Sequence, residues 1–145
     1  MRRIAVLALA AALAGCGGSG SEKMPAACIQ GPGAVLKALA GAPGDVRIDG
    51  VRISQCFTRN AGGADEQILG TNLLSAAQQL GDRAAADPEG DAALQFGYLM
   101  GAAKRGARRT GLATELMRRL RQEQGSLPAR SAAFRRGQRA GFATG

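Results

Sequence analysis

The residues of this chain that could carry chemistry are three cysteines and a set of arginines concentrated in the last third. The 145 residues include no histidine. Because Ser-His-Asp and Cys-His arrangements need an imidazole, this absence excludes those catalytic sites and every metal site built on histidine. The chain also lacks a P-loop, a nucleophile elbow and a dinucleotide-binding fingerprint. We therefore expect a protein that is not an enzyme and that uses no cofactor and no metal.

The first cysteine follows a short apolar segment at the N-terminus. Two arginines follow Met1, ten apolar residues occupy positions 4–13, and Ala14-Gly15-Cys16 comes next. A positive start, a short apolar stretch and small residues before a cleavage point are typical of a secretory signal peptide. Ten residues rise about 15 Å as a helix, which is half of a bilayer core. The segment is therefore too short to remain as a transmembrane helix.

The four residues Leu13-Ala14-Gly15-Cys16 resemble the lipobox of bacterial lipoproteins, a resemblance confined to residues 1–16. It implies that residues 1–15 are a lipoprotein signal peptide and that Cys16 carries a thioether-linked lipid with two or three acyl chains, such as palmitate. The membrane partner is then a cell membrane or an outer membrane, on its extracytoplasmic face. Because Gly17 rather than Asp follows the cysteine, the resemblance favours the outer membrane where a cell has two. Ordinary secretion is the alternative, since Ala12-Leu13-Ala14 also fits a cleavage rule.

The other two cysteines form an even pair once Cys16 is lipidated. In an oxidising compartment we expect Cys28 and Cys56 to form a disulfide. Closing a loop of about 28 residues would stabilise the fold by about 3–4 kcal/mol. A redox role is the alternative, although the spacing of these cysteines is unlike C-x-x-C.

Nearly all of the net positive charge lies in the last third of the chain. Residues 17–100 carry six basic and nine acidic residues, whereas residues 101–145 carry eleven and two. Several arginines there recur at helical intervals and are predicted to bind anions, namely Arg105, Arg108, Arg109, Arg118, Arg119, Arg135 and Arg136. Such a surface would attract anionic lipid, an acidic envelope polymer or a partner protein. An exported location and few aromatic residues argue against nucleic acid. A solvated surface that merely reflects arginine-rich composition is the alternative.

The acidic residues form weaker patterns. Asp87, Glu89 and Asp91 alternate as in a calcium loop, but the rest of that loop is missing. Pro88 directly after Asp87 is instead typical of the first residues of a helix, with Asp87 as the N-cap. Nothing in the spacing of the remaining carboxylates selects two of them as a glycosidase pair.

The fold that must hold these residues is predicted to be mainly α within an α+β class: a small N-terminal β-hairpin with a disulfide, packed on a bundle of about four helices. Residues 16–25 contain the lipidated cysteine and a flexible Gly/Ser tether with a reach of about 15–18 Å. Residues 26–145 are expected to form a single mostly helical domain. The core should be small and rich in alanine, because large aliphatic and aromatic residues are few.

The hairpin prediction comes from an Asp49-Gly50 pair between two alternating runs. Both positions of a two-residue turn need a positive φ, which Asp-Gly provides. In that register Ile48 pairs with Val51, and Val46 pairs with Ile53, so one face is apolar. The other face would set Arg47 opposite Arg52, where Asp45, solvent or a bound anion must screen the two charges.

Four helices are predicted after the hairpin, over residues 65–86, 87–103, 111–124 and 128–139. Residues 92–103 are apolar or small on all sides, which is typical of a central, buried helix. Gly97 and Gly101 within it would let another helix approach closely, either in the same domain or in a dimer.

The sequence thus predicts a non-catalytic, lipid-anchored protein of the cell envelope, a binding or structural module whose basic C-terminal surface contacts anionic lipid, an envelope polymer or a partner protein. The alternative is a domain that binds a small molecule or lipid in a cavity among the helices, near Phe96, Tyr98 and Met100.

Overall fold

The computed structural model describes residues 23–57, 62–107 and 113–145, and these are mainly helical, as predicted. Along the chain they form a 3-10 helix (Ala26–Ile29), α1 (Pro32–Leu39), a second 3-10 helix (Ile53–Cys56), α2 (Gly63–Ala86), α3 (Asp91–Ala107), α4 (Ala113–Gln124), α5 (Leu127–Arg130) and α6 (Ala132–Thr144). These ranges contain no β-strand. Each long helix overlaps one of the four predicted segments, and α6 continues beyond the predicted end.

The central helix is α3, which contacts α1, α2, α4, α6 and the second 3-10 helix. Phe96, Tyr98 and Leu99 are fully buried, and the small residues of the same helix, such as Gly97 and Gly101, are buried as well. This placement confirms the prediction from the all-apolar segment, because a helix without a polar face must be covered on every side.

The closest contact in the fold joins α3 to α6, which run parallel to each other. Gly97 of α3 lies on the backbone carbonyl of Phe134, and Gly101 lies one turn further along on the carbonyl of Gln138. A Cβ atom at either glycine would overlap these backbone atoms. The two backbones can therefore approach this closely only because these positions have no side chain.

The glycines on α6 complete the same contact from the other side. Gly137 lies against the carbonyl of Leu94, and Gly141 lies against the carbonyl of Tyr98. Each helix thus carries a G-x-x-x-G pattern that faces its neighbour, a device familiar from close helix pairs in membranes. The glycines of α3 therefore contact a helix of the same chain. Between these two helices α4 brings the chain back along the bundle, so that α6 can run parallel to α3.

The predicted hairpin is reduced to its turn. Ile48 and Val51 exchange two backbone hydrogen bonds of 2.9 Å, and Asp49 and Gly50 have φ values of 44° and 81°, as a two-residue turn requires. Pairing stops there, because Ile53 begins a 3-10 helix instead of pairing with Val46. The prediction of two strands was wrong beyond this single bridge.

Local hydrogen bonds explain why the second run curls up. The Arg52 backbone N–H donates to Oε1 of Gln55 at 2.9 Å, and the Gln55 N–H donates to the Arg52 carbonyl at 2.9 Å. Both groups would otherwise need a strand partner. Before the turn, Arg47 pairs with Asp45 at 2.7 Å, so Asp45 neutralises one of the two arginines that the register would have set face to face.

The predicted disulfide between Cys28 and Cys56 is confirmed. Both cysteines are buried, and the bond joins the first 3-10 helix to the second across a separation of 28 residues. Met24, which was assigned to the flexible tether, is buried in the core just before this helix. The disulfide therefore fixes the segment through which the N-terminal tether enters the domain.

The start of α3 differs from the prediction. Asp87 ends α2 rather than capping the next helix, and α3 begins at Asp91. The intervening turn is closed by the Gly90 N–H, which donates to the Asp87 carbonyl at 3.2 Å. This turn leaves Glu89 outside both helices and able to reach another element.

We expect Gly97→Ala to lower the free energy of unfolding by about 3 kcal/mol or more, because the added methyl group meets backbone atoms that cannot rotate away. Gly70→Ala is the matched control, since a Cβ at this position inside α2 meets nothing within 4 Å. The control should be neutral or stabilising by up to about 1 kcal/mol. Urea denaturation measures both changes, and equal midpoints for the two variants would contradict the α3–α6 contact.

Removing the disulfide with Cys28→Ala and Cys56→Ala should cost about 3–4 kcal/mol of unfolding free energy, because the unfolded chain regains the freedom of a 28-residue loop. Reduction of the unaltered protein should cost a similar amount, whereas the reductant should leave the double variant unchanged. Unfolding curves that coincide before and after reduction of the unaltered protein would show that the bond contributes no stability.

Candidate functional site

The N-terminus of α6 is held by a carboxylate from the turn before α3. Glu89 accepts hydrogen bonds from the backbone N–H groups of Ala132 at 2.7 Å and Ala133 at 3.0 Å. The Ser131 hydroxyl accepts a third from the Phe134 N–H at 2.8 Å. The first turn of α6 contains no acidic residue of its own. Glu89 therefore supplies the negative charge that a helix N-terminus favours.

The C-terminus of α6 is held by Arg105, one of the predicted anion-binding residues. Its guanidinium donates to the carbonyl of Phe142 at 3.2 Å and to the carbonyl of Ala143. Close by, the hydroxyls of Tyr98 and Thr144 are 3.0 Å apart. Arg105 is thus half-buried and engaged with helix carbonyls, an arrangement that complements the negative end of the helix dipole.

The exposed side of α6 carries three arginines. Arg135, Arg136 and Arg139 lie opposite the glycines that contact α3, and all three are exposed. We call this surface the α6 arginine face. Arg139 lies four residues after Arg135, which is the spacing that places two residues on one face of a helix.

The exposed side of α4 is organised differently. Glu115 accepts hydrogen bonds from Arg118 at 2.6 and 2.7 Å and from Arg119 at 2.8 Å. The hydrogen bond from Arg118, followed by that from Arg119, lowers the pKa of Glu115 from 4.5 to about 2. One carboxylate therefore balances part of the charge of two predicted anion-binding arginines.

Three predicted site residues fall outside the part of the chain that the structure describes. These are Cys16, the predicted lipidation site, and Arg108 and Arg109, which follow the last residue of α3 by one and two positions. The predictions for all three stand as they were made from the sequence.

The second 3-10 helix brings the start of the domain to the C-terminal ends of α3 and α6. Gly106, near the end of α3, lies against the Phe57 ring and the Ser54 carbonyl, where a Cβ would overlap both. The Ser54 hydroxyl donates to the carbonyl of Gly145, directly after α6. Because Cys56 of the same 3-10 helix is bonded to Cys28, the tether enters the domain at this end, which we call the anchor-side end.

The described grooves are open and lie at the surface. One of about 480 Å³ lies between α1 and the Asp49-Gly50 turn, and two smaller ones flank the first half of α2. None of these three is lined by Phe96, Tyr98 or Met100. Phe96 instead packs edge-on against Phe134, with ring centres 5.6 Å apart. These observations give no support to a ligand cavity around the three side chains.

Within residues 23–57, 62–107 and 113–145, three or more potential metal ligands do not come together anywhere. No helix within the described ranges is both long and apolar enough to cross a membrane.

Comparison with known proteins adds no relative: the chain matches no protein-family model, no curated protein and no solved structure. The chemistry of the site therefore rests on the charges and contacts of its own residues.

We predict that the double variant Arg118→Gln, Arg119→Gln raises the pKa of Glu115 from about 2 toward 4.5, because both hydrogen bonds to the carboxylate lose their charge. Since the pKa is lowered in the folded state, these ion pairs favour folding at neutral pH, and the effect is lost as the pH falls from 4.5 to about 2. NMR titration of the Glu115 side chain measures the midpoint. Arg121→Gln is the matched control and should leave it near 2. A midpoint near 4.5 in the unaltered protein would disprove the ion pairs.

Proposed function

We propose that this chain is a non-catalytic, lipid-anchored protein of the cell envelope whose anchor-side end contacts anionic phospholipid. The observation that carries the proposal is the common location of the tether entry and the C-terminal end of α3. The Cys28–Cys56 disulfide holds the tether entry next to the second 3-10 helix. The contact of Gly106 with Phe57 and Ser54 holds the C-terminal end of α3 against the same segment.

The short tether supports close contact between the domain and the membrane. Between Cys16 and the buried Met24 lie seven residues, mostly Gly and Ser. A flexible chain of this length reaches about 15 Å, comparable to the length of a ten-residue helix. Two or three acyl chains on Cys16 would hold the protein stably, whereas one chain binds only marginally. The end at which the tether enters would therefore stay beside the lipid headgroups.

Basic residues at the anchor-side end supply the electrostatic contact. Lys23 and Lys104 are exposed there, with the Lys104 ammonium 5.9 Å from the centre of the Phe142 ring. Arg108 and Arg109 follow α3 in the sequence. Each basic residue near an anionic surface contributes about 1 kcal/mol, so a few are enough to orient a tethered domain. Arg105 contributes less directly, because it is engaged with the end of α6.

The acidic residues divide between the two ends of the bundle, with Asp65 and Glu66 in the first turn of α2 and a second group at the start of α3. Asp87, Glu89 and Asp91 lie in and beside the turn at the opposite end of α3. Carboxylates at that end would be kept away from an anionic surface, which lowers repulsion.

The first experiment tests the anchor. Intact-mass measurement of the protein from a bacterial membrane fraction should show a chain that begins at Cys16 and carries a diacylglyceryl group. Cys16→Ala should move the protein out of the membrane fraction. An unmodified chain that begins after Ala14 would instead indicate ordinary secretion and would refute the anchor.

The second experiment tests which end meets the lipid. Because the chain contains no tryptophan, a single Trp introduced into the lipidated protein can report its distance from brominated lipids in vesicles. Ala143→Trp at the anchor-side end should be quenched in anionic vesicles and less so at high salt. Ala85→Trp, exposed near the end of α2, is the matched control and should not be quenched. Adding Lys104→Gln, Arg108→Gln and Arg109→Gln should abolish the quenching of the first variant. Equal quenching of both tryptophans would refute the proposed orientation.

A further inference from the structure

The α6 arginine face lies on the opposite side of α6 from the contact with α3. Between and beside its three arginines the exposed positions are small, with Ala132 at one end and Ala143 at the other. An extended molecule could therefore lie along this helix from Ala132 to Arg139, beyond which the half-buried ring of Phe142 follows. The three arginines are spaced by one, three and four residues, which places them within one turn of one another.

The charges of α6 are arranged against the preference of its own dipole. Arg135 and Arg136 are its fourth and fifth residues, close to the N-terminus where positive charge is disfavoured. The helix has no acidic residue in its first turn and no basic residue in its last. Glu89 and Arg105, both from outside α6, provide the charges that favour its formation. Residues that oppose local stability in this way are expected where a function requires them.

The position of these arginines along α6 separates them from the membrane, an argument that rests on the proposed function. Arg135 and Arg136 precede the end of α6 at Thr144 by nine and eight residues, which corresponds to about 12–14 Å along a helix, and Arg139 precedes it by five residues, or about 8 Å. Charges are screened over about 8 Å at physiological ionic strength. With the anchor-side end at the headgroups and α6 pointing away from them, Arg135 and Arg136 would scarcely sense the bilayer, and Arg139 would lie at the limit of its field.

We propose that the α6 arginine face binds a linear polyanion of the envelope space, a polymer whose oxyanions repeat along its length. Guanidinium groups bind phosphate and carboxylate in the same two-pronged geometry, so either group could supply the charge. The arginines of α4 are less suited to this partner, because Glu115 engages two of them. The α6 helix itself contains no acidic residue, and Arg136 and Arg139 are exposed on it.

The test uses the lipidated protein in nanodiscs of neutral lipid, so that the bilayer itself attracts no cations. Fluorescence anisotropy of labelled polyphosphate and of labelled polygalacturonate distinguishes a phosphate from a carboxylate polymer, and labelled dextran is the uncharged control. Arg135→Gln, Arg136→Gln and Arg139→Gln together should weaken binding of at least one polyanion roughly tenfold to a hundredfold. The matched control changes Arg118, Arg119 and Arg121 to Gln, which removes the same formal charge from α4, and should weaken binding less than threefold.

Three results would overturn the inference. The first is the absence of polyanion binding at low salt. The second is equal weakening by the α6 and α4 triple variants, since the polymer would then respond to net charge alone. The third is loss of the Ala143→Trp quenching in anionic vesicles when the α6 triple variant is introduced, because the α6 arginine face would then contact lipid. Failure of the proposed function is separate: it would appear as an unmodified Cys16 or as equal quenching at both ends, whatever the polymer result.

Discussion

The backbone contact between α3 and α6 is the constraint on which the rest of the domain depends. Four glycines, two on each helix, remove the side chains that would otherwise keep the backbones apart. Glycine within a helix costs conformational entropy, so four of them are tolerated only where close packing compensates. The contact also sets the helices parallel, and it brings both ends of α6 to residues of α3 and its preceding turn. Glu89 and Arg105 then satisfy those ends.

Sequence patterns predicted the structural features that depend on neighbouring residues. The all-apolar run of residues 92–103 identified the central helix, and Asp49-Gly50 identified a turn with two positive φ values. The strands beside that turn did not form, because Gln55 offered the backbone of Arg52 a nearer partner than a second strand could. The partner of Gly97 and Gly101 was not predictable, since it depends on which of several helices reaches α3. Glu89 was predicted to lie at a helix start. Its actual partner, the Ala132 N–H at the start of α6, lies 43 residues away, where a local pattern cannot show it.

The count of charged residues likewise identified the basic last third of the chain, but it did not show that the arginines there have different partners. Arg105, Arg118 and Arg136 look alike in the sequence. In the structure the first binds helix carbonyls, the second shares a carboxylate and the third is exposed on a helix without acidic residues. The helical spacing of the arginines was enough to predict exposed faces. The acceptors of Arg105 could not be inferred, because they are backbone carbonyls 37 and 38 residues further along the chain.

The inner side of α6 explains why its outer side can carry charge. A helix that buries leucines needs most of its circumference for packing, whereas α6 is held by backbone contact along a narrow glycine stripe, by Phe134 and by its two ends. None of these determinants involves Arg136 or Arg139. These two residues can therefore change without altering how α6 packs on α3. An outer face with three arginines and no acidic residue is consequently a property that the fold permits but does not require.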